Sequence, residues 1–266
     1  LTIKNTHEHT ARNLVWLVLG TACAIAALTL LVPKPADPTL DTTGFYAGVM
    51  VTSFFAVLHV GAAVLFLYGV RDFKPQLRRA YSIICGGLVC LALALLQFPF
   101  FSVLNLWHRA WFSDGGALLP YLAAEVLLFG GVAAFAAILG ARGRWFSGGP
   151  MTGLLLSAGL LTYALFQLSD GARSSFDVGL PVELVMFLLA CAALSLALRI
   201  KGAAGPAYTN ALAWFVLALS VNIFVFIIGA VANITGAEGP WQGIAPAIQG
   251  ILFMKAGYAF NKVNSY

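Results

Sequence analysis

Five polar side chains lie deep within long apolar stretches of this chain, and their chemistry needs an explanation. Lys255 stands near the middle of one stretch, in Gly250-Ile251-Leu252-Phe253-Met254-Lys255-Ala256-Gly257-Tyr258. An ammonium at that depth is costly and is expected to face protein or water. It could act as a counter-ion, a proton or anion relay, or a Schiff-base lysine. Its long stem also allows snorkelling toward an interface. Glu125, in Tyr121-Leu122-Ala123-Ala124-Glu125, is the acid set well inside a helix. Its sign and depth predict a pair with Lys255, both side chains facing the bundle interior around one polar cavity. The other reading is a protonated acid that shuttles protons or grips a ligand. His59, in Ala56-Val57-Leu58-His59-Val60-Gly61, could ligate haem, hydrogen-bond a quinone, or simply bond a neighbouring helix. Asn222 and Gln249 add amide groups near Lys255 and thicken the same polar region. These five residues are the candidates for substrate binding or relay.

Other chemistries find no support. Intramembrane hydrolysis would need a nucleophile–base set or an H-E-x-x-H metal motif, and His7-Glu8-His9 is an N-terminal run of another pattern. No catalytic residue and no metal ligand is assigned, and the isolated chain is not read as an enzyme. A bis-histidine haem would need ligands at matched depth, which His59 and His108 do not offer. Cys23, Cys85, Cys90 and Cys191 all fall in apolar runs and read as small buried hydrophobes. Cys85 and Cys90 lack the CxxC spacing of redox or metal pairs.

The elements that must position these groups are plain. Apolar stretches run over Leu14–Val32, Phe45–Val70, Ala80–Leu104, Ala117–Gly140, Met151–Ser169, Leu180–Leu198, Tyr208–Ile234 and Ile244–Asn261, each of 18 residues or more. That is the length a bilayer core demands of a helix. The chain is 61% hydrophobic and 9% charged, which excludes an ordinary soluble domain. Barrel strands would be shorter and alternate in polarity, so the spans are helices. The expected fold is all-α: a polytopic transmembrane bundle of eight spans, one domain over residues 1–266 with a short mobile tail at 1–13.

Eight spans put both termini on one side. Eleven basic residues share that side, among them Arg71, Lys74, Arg78, Arg79, Arg142, Arg144, Arg199, Lys201 and Lys262, against Lys34, Arg109 and Arg173 on the other. The bias predicts cytoplasmic termini in a cell (inner) membrane. Pro33, Pro35 and Pro38, Ser147-Gly148-Gly149-Pro150, Gly205-Pro206 and Gly239-Pro240 punctuate the loops. The net charge of +5 sits in short loops rather than on one patch, so no nucleic-acid partner is expected. The expected partners are the bilayer, a small molecule or ion, and other membrane subunits or further copies of the chain.

Two resemblances follow from these residues. A lysine in the last helix with a carboxylate four helices earlier resembles a microbial rhodopsin, and an extra N-terminal helix resembles the enzyme-linked members. That would imply retinal on Lys255. The chain departs where such proteins usually carry an aspartate four residues before the lysine, since Ile251 stands there. Span seven also reads Trp214-Phe215 and then Ser220-Val221-Asn222 without the aromatic–proline pattern. Through Leu58-His59-Val60-Gly61 the chain resembles eight-helix quinol-oxidising membrane anchors, which would imply a quinone, although their termini typically lie on the opposite side. Neither resemblance is adopted, and no cofactor is assigned. The leading expectation is a transporter or permease-like bundle with a polar intramembrane site. The alternatives are a membrane sensor module of a signalling protein, or a quinone-facing or structural subunit of a membrane complex.

Overall fold

Residues too apolar to stay in water, in runs too long for barrel strands, form helices in a computed structural model that describes residues 2–29, 42–69, 75–104, 118–138, 179–235 and 241–263. The described elements are α1 (Thr2–Thr29), α2 (Thr42–Gly69), α3 (Pro75–Leu104), α4 (Leu119–Ile138), α5 (Gly179–Ala203), α6 (Pro206–Thr235) and α7 (Trp241–Val263). No strand occurs among the described residues. Five of these helices, α2 to α6, are long and apolar enough to cross a membrane. Gln249, Lys255 and Asn261 dilute the apolar character of α7. The expected span Met151–Ser169 lies outside the described residues, as do His108 and the loop carrying Arg71 and Lys74.

Two boundaries differ from expectation. α1 begins at Thr2, so the segment expected as a mobile tail continues the first span as helix. Extending an existing helix adds one backbone hydrogen bond per residue fixed, which favours propagation into the polar run. There the Arg12 guanidinium donates to His9 Nδ1 at 2.8 Å. α5 runs past Lys201-Gly202, and the break falls at Ala204 and Gly205. Ala204 N–H caps the Ile200 carbonyl at 2.8 Å, and Pro206 opens α6 where its missing N–H is harmless.

Six helices close into a ring: α2 packs on α3, α3 on α4, α4 on α5, α5 on α6, α6 on α7, and α7 back on α2. α1 lies outside, against α2 and α7. Glycines set the tightest seams. A Cβ at Gly250 would come within 2.9 Å of Leu58 Cβ, and one at Gly257 within 2.9 Å of Leu65 Cβ, so α7 and α2 touch along a seven-residue repeat. Gly87 and Gly131 do the same between α3 and α4. In lipid such close packing replaces the hydrophobic effect as the force between helices.

The ring has two levels. At one, Phe66, Tyr81, Phe135, Phe215 and Phe260 interlock, with ring centroids 5.2–6.1 Å apart where they meet, around a residual space of only about 10 Å³. At the other, polar residues line a cavity. Each ring helix contributes to both levels, which fixes its direction. α2, α4, α5 and α7 run from the cavity level to the aromatic level, and α3 and α6 run back. α4 and α5 are therefore parallel neighbours.

The outside of the ring is apolar. Val60, Val64 and Leu67 on α2, Val89, Leu93 and Leu96 on α3, Val126 on α4, Val185 and Leu198 on α5, and Leu217 and Phe224 on α6 are all exposed. Glu125, His59, Asn222 and Gln249 are buried inside. A soluble protein has no means of stabilising that inversion, and a lipid-embedded one does. The chain is an integral membrane protein built as a helical bundle.

Candidate functional site

The polar core is built one residue per helix. Glu125 sits one turn beyond Tyr121 on the inner face of α4, with 1% of its surface exposed. Asn222 on α6 donates from Nδ2 to Glu125 Oε1 at 2.8 Å. Gln249 on α7 donates from Nε2 to Asn222 Oδ1 at 2.7 Å. The three side chains thus form a directed chain across the ring interior, and Asn222 is satisfied as donor and acceptor at once. Two amides and a carboxyl joined in this way hold three helices in register, because each lost bond would strand a buried polar group.

His59 completes the group from α2. Its Nδ1 lies 2.8 Å from the Phe55 carbonyl, one turn back in the same helix. A carbonyl only accepts, so Nδ1 carries a proton and, in the neutral ring, Nε2 is an acceptor. The imidazole is held in place by Phe253, with centroids 6.3 Å apart, and by the close approach of Gly250. Gln249 flanks the ring without closing a well-formed hydrogen bond onto Nε2. Two buried atoms here have no hydrogen-bond partner: His59 Nε2 and Glu125 Oε2. Pro246, one turn before Gln249, cannot donate to the carbonyl four residues earlier, which loosens α7 beside the site.

These four residues form the floor of a cavity of about 220 Å³. Its walls are apolar: Leu91, Leu95, Met186, Val225 and Phe226, with Tyr121 on one side. Glu183 on α5 joins the lining, and no Lys or Arg does among the described residues. The aromatic level closes the ring beneath the floor.

The structure brings together four of the five expected residues and leaves out Lys255. The expected pair with Glu125 is not seen. Lys255 is exposed on the outer face of α7, with its ammonium 5.4 Å from the centroid of the Trp214 ring. That face is set by Ile244, Ile248 and Ile251, all exposed and at helical spacing with Lys255. The lysine stem therefore lies along the lipid-facing stripe, in the manner of a snorkelling side chain with a cation–π partner. A retinal linked to Lys255 would hang outside the ring. In its neutral ring His59 presents an acceptor at Nε2, not a donor to a quinone carbonyl. Among the described residues, no three His, Cys, Asp or Glu side chains converge as a metal site.

Sequence reasoning did not single out Tyr121, Glu183, Met186 or Phe226 as site residues. The one available signal was spacing, since Leu118, Tyr121 and Glu125 share a helix face. All four cysteines are free thiols, and Cys23 is exposed on α1 rather than buried, because α1 stands outside the ring. Comparison with known proteins gives no match to this chain from a family model, a curated protein or a solved structure.

Proposed function

We propose that this chain is a permease-like membrane protein that takes up a small molecule or ion in the cavity above Glu125, Asn222, Gln249 and His59. The observation that carries this reading is the hydrogen-bonded chain across the ring at the floor of a cavity, with packed aromatic rings beneath it. An ionisable side chain such as Glu125 at such depth is costly and is characteristic of substrate and ion paths. Motion that parts the aromatic level and closes the cavity level would expose the same floor to the other side. Pro246 gives α7 a point at which to bend.

The reading includes eight crossings of the cell (inner) membrane with both termini in the cytoplasm. Two observations support it. The parallel run of α4 and α5 requires the intervening chain to return from one level to the other. Arg78 and Arg79 near the start of α3, and Arg199, Lys201 and Lys262 at the ends of α5 and α7, all belong to the aromatic level, which the positive-inside rule makes cytoplasmic.

The tight aromatic seal favours a second reading, a membrane sensor module that binds its ligand from the cavity side without passing it on. One experiment separates the two. Met186→Cys, in a chain whose native cysteines are replaced by Ala, is treated with a membrane-impermeant thiosulfonate in right-side-out and inverted vesicles. A permease is labelled from both sides. A sensor is labelled from the cavity side alone. No labelling from either side would overturn both.

A further inference from the structure

We propose that the cavity selects a small organic ammonium ion, a primary or secondary amine with an apolar body. This rests on the reading of the cavity as a ligand site and names the class of ligand. With Glu125 as a carboxylate, every unpartnered buried polar atom at the floor is an acceptor: Glu125 Oε2 and His59 Nε2, both enclosed and both without a hydrogen bond. Glu125 Oε1 and Asn222 Oδ1 already have their donors, Asn222 and Gln249. A ligand that satisfies the floor must therefore bring N–H groups, and an ammonium brings two or three. Charge agrees, with Glu125 in the lining and no Lys or Arg among its described residues. A carboxylate ligand would meet the acid Glu125, and a neutral carbonyl compound would leave Glu125 Oε2 and His59 Nε2 unsatisfied.

The walls specify the rest of the molecule. Leu91, Leu95, Met186 and Val225 offer no hydrogen bonds, so a bare metal cation would exchange its hydration for hydrocarbon over most of its surroundings. An alkyl or aryl body fills that space favourably. Tyr121 and Phe226 add aromatic surface of the kind that attracts ammonium groups. The cavity, at about 220 Å³, lies below the volume of drug-sized sites, which limits the body to a single ring or a short branched chain.

The test compares three molecules of one shape on the purified full-length chain in detergent: phenethylamine as its ammonium ion, 2-phenylethanol and phenylacetate. Binding is measured by calorimetry at neutral pH. The ammonium should bind, the alcohol about tenfold or more weaker, and phenylacetate not at all, since a charge-assisted bond to an enclosed carboxyl is the discriminating contact. Glu125→Gln keeps the shape and the Asn222 bond, and it should weaken the ammonium by about tenfold or more while leaving the alcohol unchanged. Equal binding of all three, ammonium binding unaltered in Glu125→Gln, or no ammonium binding would overturn the proposal. If Glu125→Gln does not fold, the comparison on the unaltered chain still decides. Two-sided labelling of Met186→Cys combined with no amine binding would reject the ligand class and leave the permease reading standing.

Discussion

At the scale of single residues, Asn222 is the hinge of the site because it alone bonds two partners, Glu125 and Gln249. Asn222→Ala should destabilise the bundle by about 1–3 kcal/mol, the penalty for leaving buried polar groups unpaired. Unfolding by a denaturing detergent would measure the loss, and unchanged stability would show that the chain of amides holds nothing together. Lys255→Met should behave oppositely. It removes a cation–π contact on the outer face, amounting to about 0.5–1 kcal/mol, and leaves ligand binding intact. Loss of binding in Lys255→Met would return the lysine to the site. In the sequence, Glu125, His59, Asn222 and Gln249 stood out by their depth in apolar runs. It left the direction of Lys255 open, because depth along a helix says nothing of azimuth. The azimuth was written in Ile244, Ile248 and Ile251, whose spacing makes a lipid-facing stripe that includes position 255.

At the scale of elements, the helices were legible from length and apolarity, while their ends and seams were not. The apolar run starting at Leu14 did not reveal that α1 begins at Thr2, since helix propagation crosses the polarity boundary. Small residues recur through the apolar runs, and the sequence does not tell which of them set a seam as Gly250 and Gly257 do. The distinction is measurable. Gly257→Ala would drive a methyl group to 2.9 Å from Leu65 Cβ and 3.3 Å from the Phe66 backbone nitrogen, so α7 and α2 must part. It should lower stability by about 1–3 kcal/mol, the usual penalty for overpacking. Gly20→Ala on α1, with nothing within 4 Å of its Cβ, should be neutral or slightly stabilising, as Ala is the better helix former. Equal effects at both positions in thermal unfolding would contradict the assigned seam.

At the scale of the whole molecule, the ring holds a cavity at one level and packed aromatic rings at the other, and Arg78, Arg79, Arg199, Lys201 and Lys262 fall at the aromatic level. The sequence implied the charge division through its basic loops. It could not imply the seal, because Phe66, Tyr81, Phe135, Phe215 and Phe260 come from five helices and read singly as ordinary apolar residues. Their convergence is a property of ring closure. The most direct measurement of the account compares two cysteines in a chain otherwise free of them, Leu95→Cys in the cavity wall and Val132→Cys in the seal. Right-side-out vesicles are exposed to a membrane-impermeant thiosulfonate, and labelling is followed over time. Position 95 should react and position 132 should stay protected, although both lie inside the ring. Equal reaction at both would mean a continuous aqueous path and no seal. Protection at 95 together with reaction at 132 would place the opening at the aromatic level and contradict the account.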